Sequence, residues 1–249
     1  QHPRDKADTF LMLESLGNKL DNEVQAEYEQ IRQRYTNDKI ITQKIEEQLD
    51  IPSFIRKSEK RWDGGYVISG MLGHGDSFVF RDPDGIRTAF YYHDEEIAVV
   101  ASERAPLQTV MNVNVEEIRE LEPGQIMIIK KNGTIYFDKI RIPSPRLKAC
   151  SFERIYFSRG SDVDIYTERK KLGASLAEPI LKAVDYDIEN SVFSFIPNTA
   201  EVAFYGMTQG IRNITGKDPH VEKVLIKDIK LRTFISQNKE RNDLAKHVY

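Results

Sequence analysis

The residues of this 249-residue chain that could do chemistry are few and widely spaced. The first group is Pro197-Asn198-Thr199-Ala200, between an apolar, β-favouring run at 191–196 and a helical pattern at 200–207. A turn from a strand into a helix presents backbone N–H groups and the positive end of the helix dipole, so it can hold an anion. The alternative reading is an ordinary connection in which Thr199 caps the helix. Asp8 stands just ahead of Phe10, Leu11, Leu13, Leu16 and Leu20, an apolar series at helical spacing, and an aspartate there reads as a helix N-cap. Cys150 is the only cysteine. One thiol makes no disulfide within the chain and no self-contained metal site, and it reads as a small buried apolar residue. The histidines, His74 and His93 among them, are scattered without metal-ligand spacing.

The elements that must carry these residues follow from periodicity and turn chemistry. The helix from Asp8 has Gly17-Asn18 as a candidate break, and 22–34 is a solvated helix or an insertion. Ile40, Ile41, Ile45 and Leu49 predict a second, short amphipathic helix that stops before Pro52, and 54–61 predicts a charged helix. After Gly64-Gly65 the pattern becomes β-rich, beginning at 66–68. The runs 77–80 and 88–92 flank Pro83-Asp84-Gly85 and predict a hairpin, with Arg81, Asp82 and Arg87 as its charge-paired rim. Further strands are expected at 97–100 and 110–115. Asn132-Gly133 between 126–129 and 134–137 predicts another hairpin, with positive φ at both turn positions. Ile142-Pro143-Ser144-Pro145 reads as a linker. Beyond it, 164–181 predicts a helix with Leu172, Leu176, Ile180 and Leu181 on one side, limited by Pro179. A buried strand over 191–196, a helix over 200–207 and a strand at Val224-Leu225-Ile226 complete an alternation typical of a parallel α/β sheet.

Composition narrows the function classes. Hydrophobic residues make up 40% and charged residues 30%, enough for a packed core under a solvated surface. Net charge is −3 with no basic block, which argues against nucleic acid as a partner. No apolar run approaches the roughly 20 residues that span a bilayer, and no signal peptide is visible. A single cysteine suits a reducing cytoplasm. The chain starts at Gln1, not Met, and is expected to be a piece of a longer protein.

Two motifs carry a resemblance. Phe80-Arg81-Asp82-Pro83-x-Gly85-Ile86-Arg87, followed by Ala101-Ser102-Glu103, resembles the back half of an N-terminal-nucleophile (Ntn) glutamine amidotransferase domain, a feature that asparagine synthetases share. Cys150-Ser151-Phe152-Glu153-Arg154-Ile155-Tyr156-Phe157-Ser158-Arg159 resembles the domain junction of the amidophosphoribosyltransferases. An asparagine synthetase would need an ATP-pyrophosphatase loop after the linker, and none is present. The resemblance implies a chain of α/β and α+β class. Residues 1–145 would be the C-terminal part of an Ntn-hydrolase αββα glutaminase sandwich. Residues 146–249 would begin a Rossmann-like phosphoribosyltransferase domain.

The resemblance also implies the reaction: glutamine-derived ammonia is transferred to phosphoribosyl pyrophosphate (PRPP), giving 5-phosphoribosylamine, the first step of de novo purine biosynthesis. Under it, Asp8 pairs with the α-amino group of glutamine. Pro197, Asn198, Thr199 and Ala200 form the pyrophosphate loop, with the Thr199 hydroxyl helping to hold Mg²⁺. Leu231-Arg232-Thr233-Phe234-Ile235 resembles part of the loop that closes over PRPP, although Lys227-Asp228-Ile229-Lys230 departs from the family's basic-aromatic run. A cysteine at the position of Cys150 is an iron–sulfur ligand in one branch and stands without a cluster in another, so a cluster would belong to the complete parent only. Purine nucleotides as feedback ligands and a homo-oligomer are implied as well. No catalytic residue is assigned. The nucleophilic cysteine and the oxyanion-type Asn-Gly are expected upstream of Gln1, and the Asp-Asp PRPP signature beyond Tyr249. The chain is therefore expected to be an internal segment, inactive in isolation. From a different class, a degenerate binding or assembly module that kept the scaffold and lost the chemistry is the rival reading.

Overall fold

The computed structural model describes residues 8–224 and 226. The chain divides into two compact units, one ending at Cys150 and the other beginning at Ser151.

The first unit opens with α1 (Asp8–Ile31), α2 (Asp38–Gln48) and α3 (Ile51–Glu59). α1 runs unbroken through Gly17, whose missing side chain would meet only open space. A single glycine costs a helix about 1 kcal/mol, too little to break one this long. Asn37 caps α2 by accepting from the Lys39 N–H at 3.0 Å. Asp50 caps α3 by accepting from the Ser53 N–H at 2.9 Å, and Pro52 lies in the first turn, where a missing N–H is harmless. The proline that ends one helical pattern thus opens the next. α3 is charged outside but hides Ile51, Phe54 and Ile55 completely.

The strands are β1 (Val67–Met71), β2 (Ser77–Arg81), β3 (Phe90–His93), β4 (Ala98–Ala101), β5 (Arg119–Glu120), β6 (Gln125–Ile129) and β7 (Ile135–Lys139), with α4 (Arg104–Met111) after β4. They form a four-stranded antiparallel sheet, β1-β2-β6-β7, and a three-stranded one, β4-β3-β5. The segment around Pro83-Asp84-Gly85 is therefore not a hairpin. β2 pairs with β1 and β6, and β3 with β4 and β5, so the turn carries the chain from one sheet to the other.

The reason lies in burial on both faces of β2. Phe78 and Phe80, with Ile126 and Ile128 of β6, pack against Phe54 and Ile55 of the helical layer. Val79 and Met127 point the other way, into a core shared with Ala89, Tyr91 and Leu121 of the second sheet. A strand apolar on both faces belongs inside a layered stack. On the far side of the second sheet, the Arg104 guanidinium of α4 lies 5.9 Å from the Phe90 ring centre. α4 packs on β3 and β4 of that sheet.

Two local expectations fail here. The strand expected at 110–115 is the end of α4, closed by Asn112 in the left-handed region (φ 53°) and followed by a 3₁₀ turn, Val115–Glu117, with an Asn114/Glu117 capping box. Capping chemistry outweighs the β-preference of three valines. The Asn132-Gly133 turn joins β6 to β7 as expected, but of the two only Gly133 has positive φ (86°). Its N–H donates to the Lys130 carbonyl at 2.8 Å, while the Asn132 side chain accepts from the Thr134 N–H at 3.0 Å. The result is a wider turn ending on a left-handed glycine, not a two-residue one.

That turn is pinned by a buried carboxylate. Asp76 has His74 Nε2 at 3.0 Å, pairs with Lys130 Nζ through the same oxygen, and accepts from the Lys131 N–H at 2.9 Å. Burial alone would raise its pKa, but Lys130, His74 and the Lys131 N–H together hold the carboxyl below its ordinary value. The expected linker is a strap on this unit. Ser144, Lys148 and Cys150 donate their N–H groups to the carbonyls of Pro83 (3.1 Å), Asp84 (2.8 Å) and Ile86 (3.3 Å). The Asp84 carboxylate takes the Ser144 hydroxyl and the Lys148 ammonium.

The second unit contains a π-helical turn, Glu153–Phe157, then α5 (Val163–Ser175), α6 (Ala177–Ala183), β8 (Val192–Phe193), α7 (Glu201–Thr215) and β9 (His220–Val221). The buried stripe of α5 and α6 is Ile165, Arg169, Gly173, Ala177 and Leu181, whereas Leu172 and Leu176 are exposed. Size misleads at this face, because α5 and α7 meet backbone to backbone through glycines. A Cβ on Gly173 would stand 1.7 Å from the Ala203 carbonyl oxygen, and one on Gly206 would stand 1.9 Å from that of Lys170. β8 pairs in parallel with β9. It is shorter than the run 191–196, and Val192 and Ile196 are exposed. Its partner lies at 220–221 rather than 224–226; Leu225 is outside the described residues. Among the described residues no helix is long and apolar enough to cross a membrane.

Two outcomes follow from these contacts. Gly206→Ala should destabilise the second unit by at least ~1–3 kcal/mol, because backbone must move to admit the methyl group, whereas Gly17→Ala should stabilise α1 by ~0.5–1 kcal/mol; urea unfolding of each variant measures both. Asp76→Asn should cost roughly 1–3 kcal/mol at neutral pH. A carboxyl lowered by folding stabilises above its unfolded pKa and ceases to do so as pH falls through its folded one, so the gap between wild type and variant should close in acid below about pH 4. A gap that persists unchanged to the acid limit would exclude the ionised carboxylate as its cause.

Candidate functional site

The turn at 197–200 is placed by its two flanks. Phe193 lies in β8, and its carbonyl accepts from the Glu222 N–H at 3.1 Å. Phe195 packs on Phe204 of α7, ring centres 5.0 Å apart, which folds the chain back onto the helix. Pro197 is buried beneath the turn, while Asn198, Thr199 and Ala200 are exposed. The Pro197–Asn198 peptide is cis. The Asn198 carbonyl accepts from the Glu201 N–H at 3.3 Å.

The N-cap of α7 is Ala200, and no side chain caps it. Thr199 is therefore not the helix cap. Its hydroxyl makes no hydrogen bond with the described residues. The first N–H groups of an α-helix lack intrahelical partners and attract negative charge. Glu201, the one acidic residue of that first turn, accepts from the Tyr205 hydroxyl at 3.1 Å. The turn thus combines an uncapped helix start with one exposed hydroxyl.

Asp8 is the first residue of α1, and its side chain lies outside the described residues. Leu11, Met12 and Ser15 of α1 line a cavity of about 550 Å³ with Arg61, Trp62 and Asp63. Cys150 is a free thiol and half-buried rather than in the core. Among the described residues no group of three or more His, Cys, Asp or Glu side chains could hold a metal. The stretches 227–230 and 231–235 lie outside the described residues.

The charges of the Arg81-Asp82-Pro83 segment are structural. Arg81 donates to the Arg87 carbonyl at 2.7 Å and to Glu120 at 2.8 Å, and Asp82 accepts from the N–H groups of Ile86 and Arg87 at 2.9 and 3.0 Å. Sequence reading overlooked the Arg61-Trp62-Asp63 turn. Its one signal was the chain's only tryptophan, set at the Gly64-Gly65 breakpoint.

Because Thr199 caps nothing, Thr199→Ala should leave the melting transition of the second unit within ~0.5 kcal/mol of wild type. A loss of about 1 kcal/mol or more, the usual cost of a lost cap, would contradict the uncapped helix start.

Comparison with known proteins agrees at several levels. No family model matches the chain. The amidophosphoribosyltransferase of Lachancea kluyveri is 33% identical over 148 residues, 55% of this chain and 28% of that protein. That of Saccharomyces cerevisiae is 31% identical over 187 residues, 70% of this chain and 35% of that protein. That of Pseudomonas aeruginosa is 31% identical over 164 residues, 62% of this chain and 31% of that protein. Among solved structures, an allosteric regulatory enzyme of purine biosynthesis superposes with a TM-score of 0.58 at 25% identity, over 90% of this chain and 47% of that one. The B. subtilis glutamine PRPP amidotransferase complexed with ADP and GMP superposes at 0.57 with 24% identity, over 91% of this chain and 48% of that one. The chain spans about a third of the curated relatives it matches and about half of the solved ones. By sequence and by fold it is similar to a segment of the amidophosphoribosyltransferases.

Proposed function

We propose that the chain is the middle part of an enzyme that releases ammonia from glutamine and transfers it to PRPP, giving 5-phosphoribosylamine. The observation that carries this reading is one of length. The match to the S. cerevisiae protein covers 187 residues, more than the first unit holds, so it reaches into both units. The similarity to one relative therefore spans both units.

In this reading the two sheets and the helices of the first unit form the C-terminal part of an αββα Ntn sandwich. The parallel β8–α7–β9 unit begins a Rossmann-like domain, and ligands of such sheets gather beyond the carboxyl ends of strands. The turn at 197–200 lies there. Its helix-start N–H groups and dipole would bind the departing pyrophosphate, which is strongly anionic. Mg²⁺ suits the site only as an ion carried by the substrate's phosphates, since the turn supplies one hydroxyl, Thr199, and Mg²⁺ keeps water and phosphate oxygens for its other positions. An iron–sulfur cluster does not fit this chain, which holds a single thiol where four are needed. Asp8 would pair its carboxylate with the α-ammonium of glutamine.

The complete open reading frame supplies the test. Asp8→Asn should raise KM for glutamine by roughly 10- to 100-fold and leave ammonia-dependent synthesis intact, because a charge-assisted hydrogen bond to one substrate is lost. Thr199→Ala should raise KM for PRPP and spare glutamine hydrolysis under conditions that uncouple it from PRPP. Equal loss of both activities in either variant would reduce that residue to a structural role. Absence of both activities from the complete protein would overturn the reading.

A further inference from the structure

A second cavity, of about 430 Å³, lies in the first unit beside the one on α1 and shares the Arg61-Trp62-Asp63 turn with it. Its walls come from three separate pieces of chain: the turn after α3, the Pro83-Asp84 loop and the 141–148 strap. Four cationic side chains converge on it, Lys60, Arg61, Arg141 and Lys148, against two carboxylates, Asp63 and Asp84. Lys148 is committed to Asp84 at 2.9 Å, and Arg141 Nη1 is 3.3 Å from the buried Glu59. The Lys60 and Arg61 side chains have no hydrogen bond or ion pair among the described residues. Both are exposed at the rim.

This excess of cations is local, since the whole chain carries a net charge of −3 and has no basic surface run. A long polyanion such as nucleic acid would need an extended basic stripe. A small, highly charged anion needs only one concavity, and the volume lies within the ordinary range of small-molecule sites. The remaining chemistry of the wall is mixed. Trp62 offers an apolar face, while the Asp63 carboxylate, and the lone pair left on Ser144 Oγ after it donates to Asp84, can accept from ligand hydroxyls. We propose that this cavity binds a small, hydroxyl-bearing phosphate ester, with Lys60 and Arg61 as the charges that its phosphate neutralises. All of its lining residues belong to the first unit, and the proposal does not depend on the glutamine and PRPP reading.

Calorimetric titration of the full chain with ribose 5-phosphate, inorganic pyrophosphate and malonate tests it. Ribose 5-phosphate should bind saturably, and more weakly as salt is raised. Lys60→Ala/Arg61→Ala should weaken that binding roughly tenfold or more, from the loss of two charged contacts. Its melting temperature should stay at the wild-type value, since neither side chain holds another element, and Lys39→Ala on an exposed helix should bind as wild type does. The proposal fails if ribose 5-phosphate shows no saturable binding at millimolar concentration, or if the double variant binds it equally well. It fails equally if malonate or pyrophosphate binds as tightly as the ester, because the site would then select charge alone.

Discussion

Arg81 and Asp82 sit out of water at the end of β2, 4% and 0% exposed, and the first unit depends on how they are satisfied. A guanidinium and a carboxylate in that position must find hydrogen bonds within the protein or the fold would not close over them. Asp82 takes the N–H groups of Ile86 and Arg87, which closes the turn through Pro83-Asp84-Gly85. Arg81 reaches the Arg87 carbonyl and then crosses to Glu120 and Leu121 at β5. Gly124 donates to the carbonyls of both Arg81 and Asp82. At φ 72°, with a Cβ that would lie 2.3 Å from the Arg141 carbonyl oxygen, this glycine admits no side chain. One short loop therefore ties β2 to the second sheet, to the entrance of β6 and to the strap.

The strap extends that dependence to both cavities. Because 144–150 hydrogen-bonds along 83–86, Ser144 and Lys148 are held opposite the turn at 61–64. The same turn forms one wall of the cavity on α1. Asp84 thereby positions Ser144 and Lys148, while Arg141 is held by the Gly124 carbonyl and Glu59. In the second unit the corresponding constraint is steric. Gly173 and Gly206 let α5 and α7 touch backbone to backbone, and Gly210 approaches Ala177 of α6. That contact sets α7, Phe204 on α7 receives Phe195, and the turn at 197–200 is located between them.

Legibility in the sequence followed the range of the interaction responsible. The short helix carrying Ile40, Ile41 and Ile45 and the hairpin around Gly133 rest on contacts within a few residues, and the residue types alone announce them. The resemblance carried by 80–87 and 150–159 likewise rests on local strings, and the similarity to known amidophosphoribosyltransferases agrees with it. The helical leucines of 172–181 misled because hydrophobic size was taken as the mark of a buried face, where close backbone approach had selected glycine and alanine.

What the sequence determined by itself is the kind of chain this is: a mixture of helix and strand, most of its element types, and a strand-to-helix turn at 197–200. Those properties arise from backbone propensity, capping and apolar period, all of which act over less than two turns of helix. Tertiary structure decided the rest. It sent β2 and β3 into different sheets because β2 has partners on both sides and burial on both faces. It turned a proline-rich linker into a strap because the carbonyls of 83–86 lacked partners that only a distant segment could supply. It left Thr199 free of the helix it precedes, and it brought Lys60 and Arg61 to face Arg141 and Lys148 across some 80 positions of sequence. No local string encodes such meetings, because they are fixed by the closing of loops and the packing of layers.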